Sequence, residues 1–154
     1  MAPTPEEISQ YVERFAGVMA NSGVPTMSAR VMGRMLVSPN GTMTAAELAE
    51  TLKISQPAVS GAVRQLIQMS FISRERMPGS RKDHYRIRED VFAAILERRN
   101  QALTEWAASS AYGAALFGAD TTVGRRLSEA AEFFNFVHND LEQTMKEWHA
   151  KHPR

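Results

Sequence analysis

The chain has 154 residues, 44% hydrophobic and 23% charged, which is the composition of one globular domain or of a small domain with an oligomerisation arm. It has no cysteine, which excludes disulfides and thiolate metal sites, and no apolar run approaches the roughly 20 residues that cross a bilayer. The amino terminus lacks the basic and apolar pattern of a secretory leader. We therefore expect a soluble, cytoplasmic protein that does not contact a membrane.

The net charge of +1 is distributed unevenly. Between Lys53 and Arg88 there are eight cationic residues and two carboxylates, an excess of +6, so the rest of the chain carries −5. A basic middle between acidic ends is typical of a nucleic-acid-binding face on a non-binding scaffold. The alternative is an ordinary solvated surface with uneven charge.

Two helices are predicted at the start of the chain. Apolar residues recur at helical spacing from Ile8 to Met19, and this pattern ends at the turn-forming residues 21–23. A second helix follows over the segment SARVMGRMLVS. Because Gly33 inside that helix costs stability, we predict that it allows a neighbouring element to pack closely.

The next segment predicts a helix-turn-helix. Thr44, followed three residues later by Glu47, is a capping box that begins a helix over TAAELAETLK. Ser55 is a suitable cap for the following helix, and Pro57 is tolerated in its first turn. Two short helices joined by about three residues describe a helix-turn-helix, whose second helix enters the major groove of DNA.

That second helix has two different faces. Its apolar residues recur at helical spacing and are expected to point inward; they are Val59, Ala62, Val63 and Leu66. Gln56, Ser60 and Arg64 form an outward polar row. Gln56 suits adenine and Arg64 suits guanine or a phosphate, while small residues such as Ser60 and Gly61 allow the backbone to approach the bases. The helix is therefore interpreted as a recognition helix.

A basic β-hairpin is predicted directly after it. The segments FISRER and HYRIRE read as two strands, and MPGSRKD between them reads as a turn. The hairpin carries six cationic residues: Arg74, Arg76, Arg81, Lys82, Arg86 and Arg88. Such a wing reaches phosphates or an adjacent minor groove. The alternative is an ordinary basic hairpin on a globular surface.

From Asp90 onward the chain is predicted to be helical, with a break at residues 118–120. The last helix places seven residues on one stripe: Leu127, Ala130, Phe134, Val137, Leu141, Met145 and Trp148. A winged helix of this size cannot bury such a stripe alone, so the stripe predicts a second copy of the chain as its partner. The alternative is a purely intramolecular bundle.

The sequence thus predicts a mainly α protein with a small β-hairpin wing. The winged helix-turn-helix DNA-binding domain is expected over residues 24–89, and residues 1–22 and 90–154 are expected to form the helical dimerisation region.

In this order of elements, and in the segments ARVMGRMLV, TAAELAETLKISQPAVSGAVRQLIQMSFI and GSRKDHYRIR, the chain resembles the MarR family of winged-helix transcriptional regulators. The spacing is similar to MarR/GbsR-like members found beside efflux or lipid-export genes. The resemblance implies a homodimer that binds a pseudo-palindromic operator in double-stranded DNA. It also implies a repressor that is relieved by a small apolar or amphipathic ligand.

The candidate DNA-binding residues combine this resemblance with the charge pattern. They are Ser55, Gln56, Pro57, Ser60, Arg64, Arg74, Arg81, Lys82 and Arg86. One departure from the family concerns the wing. Members of this subset carry Asp directly before the wing Arg, where it braces the wing, whereas Ser80 precedes Arg81 here.

A candidate ligand pocket rests on the methionine content. Nine Met residues are present, mostly in the amino-terminal half, and Met is common at promiscuous binding surfaces. The pocket would be lined by Phe15, Met19, Met32, Met35, Trp106 and Tyr112. The alternative is plain core filling, because helical spacing alone would place most of these side chains inside.

Enzymatic and metal-binding functions find little support. The sequence has no Gly-rich phosphate loop before a helix and no nucleophile elbow. His149 and His152 have a spacing that could hold a metal, but no third ligand is near in sequence. We therefore expect no enzyme, no cofactor and no metal. The leading function is a dimeric, ligand-responsive DNA-binding regulator; the alternative is a winged-helix protein-interaction module without operator binding.

Overall fold

A computed structural model describes residues 2–153. The chain forms two compact units, one up to Val91 and the other from Phe92. The first unit holds α1 (Pro5–Asn21), α2 (Thr26–Leu36), β1 (Thr42–Thr44), α3 (Ala45–Leu52), α4 (Gln56–Gln68), β2 (Ile72–Arg76) and β3 (Asp83–Ile87). The second is built from α5 (Val91–Phe117) and α6 (Thr122–Lys151). The predicted fold class, mainly helical with a small antiparallel sheet, is confirmed.

Helix α1 packs against α2 within the first unit. It begins with a capping box between Thr4 and Glu7, and it ends at the predicted turn. A Cβ placed on Gly33 would lie 2.8 Å from the ring of Phe15, so this glycine does allow close helix packing, as predicted. Although α1 shares a compact unit with the helix-turn-helix, the assignment of residues 1–22 to a dimerisation region stays a prediction.

The sheet has three antiparallel strands in the order β1-β3-β2. The sequence predicted the two wing strands but not β1. This strand has only three residues and is a strand because it pairs with β3. In the register, Tyr85 lies between Met43 on one side and Arg74 on the other. Tyr85 and Met43 are both buried, so this face of the sheet covers the core of the first unit.

In the second unit, parts of the predicted apolar stripe of α6 contact α5 of the same chain. A Cβ on Gly113 would lie 2.8 Å from Leu127, and the rings of Trp106 and Phe134 are 5.5 Å apart in an edge-on contact. Met145 is buried, whereas Trp148 is half exposed. The other five stripe residues are half-buried, so contact with α5 covers the stripe only in part, and a second copy of the chain as its partner stays a prediction.

Other large apolar side chains of the second unit are exposed. On α5 they include Tyr112 and Leu116, and on α6 they include Phe133 and Phe136. We call these four residues the aromatic face.

None of the helices in residues 2–153 has the length and the apolar character that a membrane span requires.

Candidate nucleic-acid interface

The helix-turn-helix is fixed at both of its helix starts. Thr44 and Glu47 form the predicted capping box of α3, and the hydrogen bonds from the Thr44 backbone N–H and hydroxyl hold the pKa of Glu47 below its usual range. Lys53 directly follows helix α3 as its carboxy-terminal cap and adopts a left-handed conformation with φ of 53°. Ser55 then caps α4 by accepting a hydrogen bond from Ala58 N. The predicted three-residue connection is confirmed.

Helix α4 is split into a buried face and an exposed face. The four apolar residues predicted to point inward are all buried: Val59, Ala62, Val63 and Leu66. Gln56, Ser60 and Arg64, the predicted outward row, are all exposed, and so is Pro57. The structure therefore presents to solvent the surface that the sequence assigned to base contacts.

A partly buried hydrogen bond joins α4 to α2. Ser28 on α2 has no exposed surface, and its hydroxyl donates to Gln65 Oε1 at 2.6 Å. Because this bond joins two helices that also share an apolar contact surface, it restricts the rotation of α4 about its own axis. The direction of the outward row is thereby set by the core of the unit.

Gly61 has no packing role inside the chain. A Cβ built on it meets no atom within 4 Å, although a glycine in a helix interior costs about 1 kcal/mol relative to alanine. This contrasts with Gly33, whose missing side chain is required by Phe15. The open space beside Gly61 is on the exterior of α4, where a ligand backbone could approach closely.

A groove runs between α4 and the wing strands. It is lined by Ser60, Val63, Arg64, Ile67, Gln68, Arg74 and Tyr85. The Arg74 guanidinium lies 5.9 Å from the centre of the Tyr85 ring and 3.7 Å from the carboxylate of Asp83. Tyr85, Ile67 and Gln68 were not among the predicted site residues, because their position depends on how the hairpin folds against α4.

The wing turn carries two exposed cations. Ser80 N donates to Met77 O at 3.0 Å, and Gly79 between them has a positive φ of 79°, which glycine adopts without strain. Arg81 and Lys82 follow this turn and are exposed. They lie at the end of the hairpin, as the sequence predicted.

Arg86 lies in a different environment from the other candidate residues. Its Nε donates to both carboxylate oxygens of Glu75, at 2.8 and 2.9 Å, and its Nη1 donates to Asn40 O at 3.4 Å. Because neighbouring residues of a strand point to opposite faces, Arg86 lies on the sheet face opposite to Tyr85. Arg86 thus joins the strands of the sheet, and its DNA contact remains a prediction that this geometry does not favour.

The remaining cations of the basic region differ in their pairing. Arg88 forms an ion pair with Asp90 at 2.8 Å. Within the described range, no carboxylate lies within ion-pairing distance of Lys53, Arg64, Arg76, Arg81 or Lys82. The excess positive charge of this region is therefore concentrated on the helix-turn-helix and around the wing turn.

The candidate ligand-pocket residues fall in both units. In the first unit, Met32 and Met35 are wholly buried and Met19 nearly so, while Phe15 is half-buried against Gly33. These burials are those of ordinary core residues. In the second unit, Trp106 and Tyr112 are mainly exposed. A pocket formed from these six residues stays a prediction.

The carboxy-terminal histidines have local partners. His149 Nε2 lies 3.1 Å from Glu97 Oε1, and the ring of His152 stacks on Trp148. In the part of the chain that the structure describes, no three His, Asp or Glu side chains form a cluster that could hold a metal ion.

Comparison with known proteins gives consistent matches over both units. Residues 90–151 match the model of the MmpR5-like MarR family transcriptional regulators, and residues 35–84 match that of the MarR family. The chain is 29% identical over 134 residues to the HTH-type transcriptional regulator MmpR5 of Mycobacterium tuberculosis strain H37Rv, covering 86% of this chain and 81% of that one.

A solved structure agrees with the fold. The crystal structure of a transcriptional regulator that is 27% identical superimposes with a TM-score of 0.76, covering 92% of this chain and 97% of that chain. The two family models together span the helix-turn-helix and the long carboxy-terminal helices, in the order that the structure shows. Over both units, the chain is therefore similar to the MarR family of winged-helix transcriptional regulators.

Proposed function

We propose that the protein binds a pseudo-palindromic operator in double-stranded DNA as a homodimer and represses transcription there. The observation that carries the DNA-binding part is the coincidence of two features on one unit. The outward row of α4 is exposed, and four cations with no carboxylate in ion-pairing distance among the described residues lie on α4 and on the hairpin beside it: Arg64, Arg76, Arg81 and Lys82. A surface that both presents hydrogen-bonding side chains and keeps its positive charge unpaired suits a major groove flanked by phosphates. Such a regulator would act in the cytoplasm, where the chromosome lies.

Arg64 is expected to read a base. It is exposed on α4, forms no ion pair within the described residues, and lines the groove beside the wing. Arg64→Ala should weaken operator binding by about 1–3 kcal/mol, roughly 5- to 150-fold, and should relax preference at one base pair of each half-site. The measurement is a titration of labelled DNA from upstream of the protein's own gene, with single-base variants of the protected site.

Arg34→Ala is the matched control, because Arg34 is a partly exposed cation on α2, outside the groove. It should leave the base preference unchanged. Equal affinity of wild type and Arg64→Ala for every fragment would contradict a base contact. If the wild-type protein binds no DNA but retains a protein from the same cell, the interaction-module alternative is favoured.

We expect Gly61→Ala to raise the stability of the protein and to weaken its binding to the operator. Since the added Cβ meets nothing within 4 Å and alanine is the better helix former, the variant should be more stable, by up to about 1 kcal/mol. If the DNA backbone approaches Gly61, the same methyl group should weaken operator binding. Thermal melting and DNA titration on the same sample test this pair of opposite effects. A variant that gains stability without losing affinity would show that nothing approaches α4 at this point.

The dimer is supported by the aromatic face of the second unit. These side chains are mainly exposed in the single chain, which is an arrangement that a second copy would bury. A two-fold dimer would present two α4 helices to successive major grooves, about 34 Å apart along the DNA. The operator is accordingly expected to consist of two inverted half-sites whose centres are one helical turn apart.

We further propose that a small apolar or amphipathic ligand relieves the repression. A ligand acts only through its different affinity for the DNA-bound and free states, typically 1–3 kcal/mol. We expect an apolar or aromatic amphiphile to raise the melting temperature and weaken operator binding together. A compound panel below aggregating concentration, read by both assays, tests this. If no compound changes either quantity, the buried methionines serve only as core.

A further inference from the structure

Ser80 occupies the position directly before the exposed wing cations, and its hydroxyl is not free. The Ser80 Oγ accepts a hydrogen bond from the backbone N–H of Lys82 at 3.1 Å. The same oxygen lies 3.2 Å from Nε2 of His84, on the adjoining strand β3. A hydroxyl has one donor and two acceptor positions, so it serves both partners with either tautomer of the imidazole.

His84 is itself fixed by the sheet. It pairs in register with Thr44 of β1 on one side and with Glu75 of β2 on the other. Thr44 is also the cap residue of α3, and the charges of His84 and Lys82 make minor contributions to the low pKa of Glu47, after the hydrogen bonds from Thr44. His84 therefore lies beside the start of the helix-turn-helix, on a strand with partners on both sides.

We propose that Ser80 and His84 act together as a positioning pair that holds the wing turn, and with it Arg81 and Lys82, in a fixed relation to the recognition helix. This inference rests on the proposed DNA binding, because it assigns the pair a role in aiming the two cations at DNA phosphates. Without the pair, the turn would rely on the backbone bond from Ser80 to Met77, the geometry of Pro78-Gly79 and the strand pairing that ends at Asp83. Two cations on a loosely held turn neutralise fewer phosphates than two that are held in place.

The first test is independent of DNA. Trypsin cleaves after Arg81 and Lys82, and cleavage requires the turn to leave its hydrogen-bonded conformation. Ser80→Ala and His84→Ala should each increase the rate of cleavage at these two bonds about three- to tenfold, the range of one lost hydrogen bond. His84→Gln keeps a nitrogen at a similar reach and should restore the slow rate. Unchanged cleavage in both alanine variants would overturn the pair.

The second test is a double-mutant cycle on DNA binding as a function of salt. Each alanine variant should bind the upstream fragment about three- to tenfold more weakly, and the double variant should be no weaker than Ser80→Ala, because removing the Ser80 hydroxyl already removes its bond to His84. The slope of log affinity against log salt should become shallower by up to about 2, the share of two phosphate contacts. Loss of folded protein alone would lower the active fraction and leave the slope unchanged.

Arg76→Ala is the control, because Arg76 is an exposed cation on the same hairpin with no contact to Ser80. Its effect should add to that of Ser80→Ala. If the wild-type protein binds the fragment, two outcomes would overturn the pair and leave the proposed function intact. One is that the losses of affinity in Ser80→Ala and His84→Ala add in the double variant. The other is that the variants keep the wild-type slope of log affinity against log salt. A wild type that binds no DNA, combined with the expected trypsin result, would contradict the proposed function and leave the pair as the brace of the turn.

Discussion

Phe136→Glu is expected to leave the protein monomeric at micromolar concentration. Phe136 is 72% exposed in the single chain and neighbours Phe133, which is 60% exposed, on the outer side of α6. In a two-fold dimer each substitution acts twice, so two buried phenylalanines are lost. At about 1.5–3 kcal/mol for each, the dimer should be weakened by roughly 3–6 kcal/mol, before the cost of burying a charge is added.

Sedimentation velocity over a concentration series measures the result. Because Phe136 is already exposed in the single chain, its replacement should leave the helical content of the monomer intact, which circular dichroism checks. Thr144→Glu is the matched control: it puts the same charge on an exposed position of α6, about 12 Å further along the helix at 1.5 Å per residue. A Phe136→Glu protein that still sediments as a dimer would exclude the aromatic face from the interface. A monomeric wild type would contradict the dimer itself.

Gly124→Ala is expected to have the largest effect on stability. Gly124 is in the first turn of α6, and a Cβ there would overlap the backbone carbonyl of Gly118. The main chain from Gly118 to Gly124 cannot easily move away from an added Cβ, because hydrogen bonds hold it in place. Thr121 Oγ1 accepts from Gly124 N at 2.9 Å and donates to Gly118 O at 2.8 Å, and Thr121 N also donates to Gly118 O. We expect a loss of about 3 kcal/mol, at the upper end of overpacking effects, because the colliding atoms belong to the main chain.

Thermal and urea melts followed by circular dichroism measure this effect. The control is Gly17→Ala, at a helical glycine of α1 where an added Cβ meets no atom within 4 Å. That variant should be as stable as wild type or more stable by up to about 1 kcal/mol. Equal melting of Gly124→Ala and wild type would show that the α5–α6 turn has another accessible conformation.

Local sequence patterns were sufficient for the helices and for most of the candidate DNA-binding face. The capping box at Thr44 and the cap at Ser55 each involve atoms within three residues of one another, so they could be recognised without tertiary information. The same holds for the two faces of α4, whose apolar spacing determines which side is buried. These features need only the helical repeat and the hydrogen-bonding needs of helix ends.

What the sequence did not predict depends on contacts between distant residues. Strand β1 has no pattern of its own and exists through its pairing with residues about 40 positions later. Arg86 looked like the other wing cations, but the register places it beside Glu75 on the far face of the sheet. The stripe on α6 was correctly recognised as apolar. Its contacts with α5, such as the close approach of Leu127 to Gly113, could be known only once the two helices were paired.

The division of α4 into two faces also bears on how a protein of this kind can change during evolution. Helix α4 is held to the unit by four buried residues and by the hydrogen bond that Ser28 donates to Gln65; the four are Val59, Ala62, Val63 and Leu66. The outward row, which consists of Gln56, Ser60 and Arg64, takes no part in these contacts. Substitutions in the outward row can therefore accumulate with little cost to folding, since surface changes away from such contacts usually alter stability by no more than about 0.5 kcal/mol. After gene duplication, two copies could diverge toward different operators while inheriting the same core unchanged.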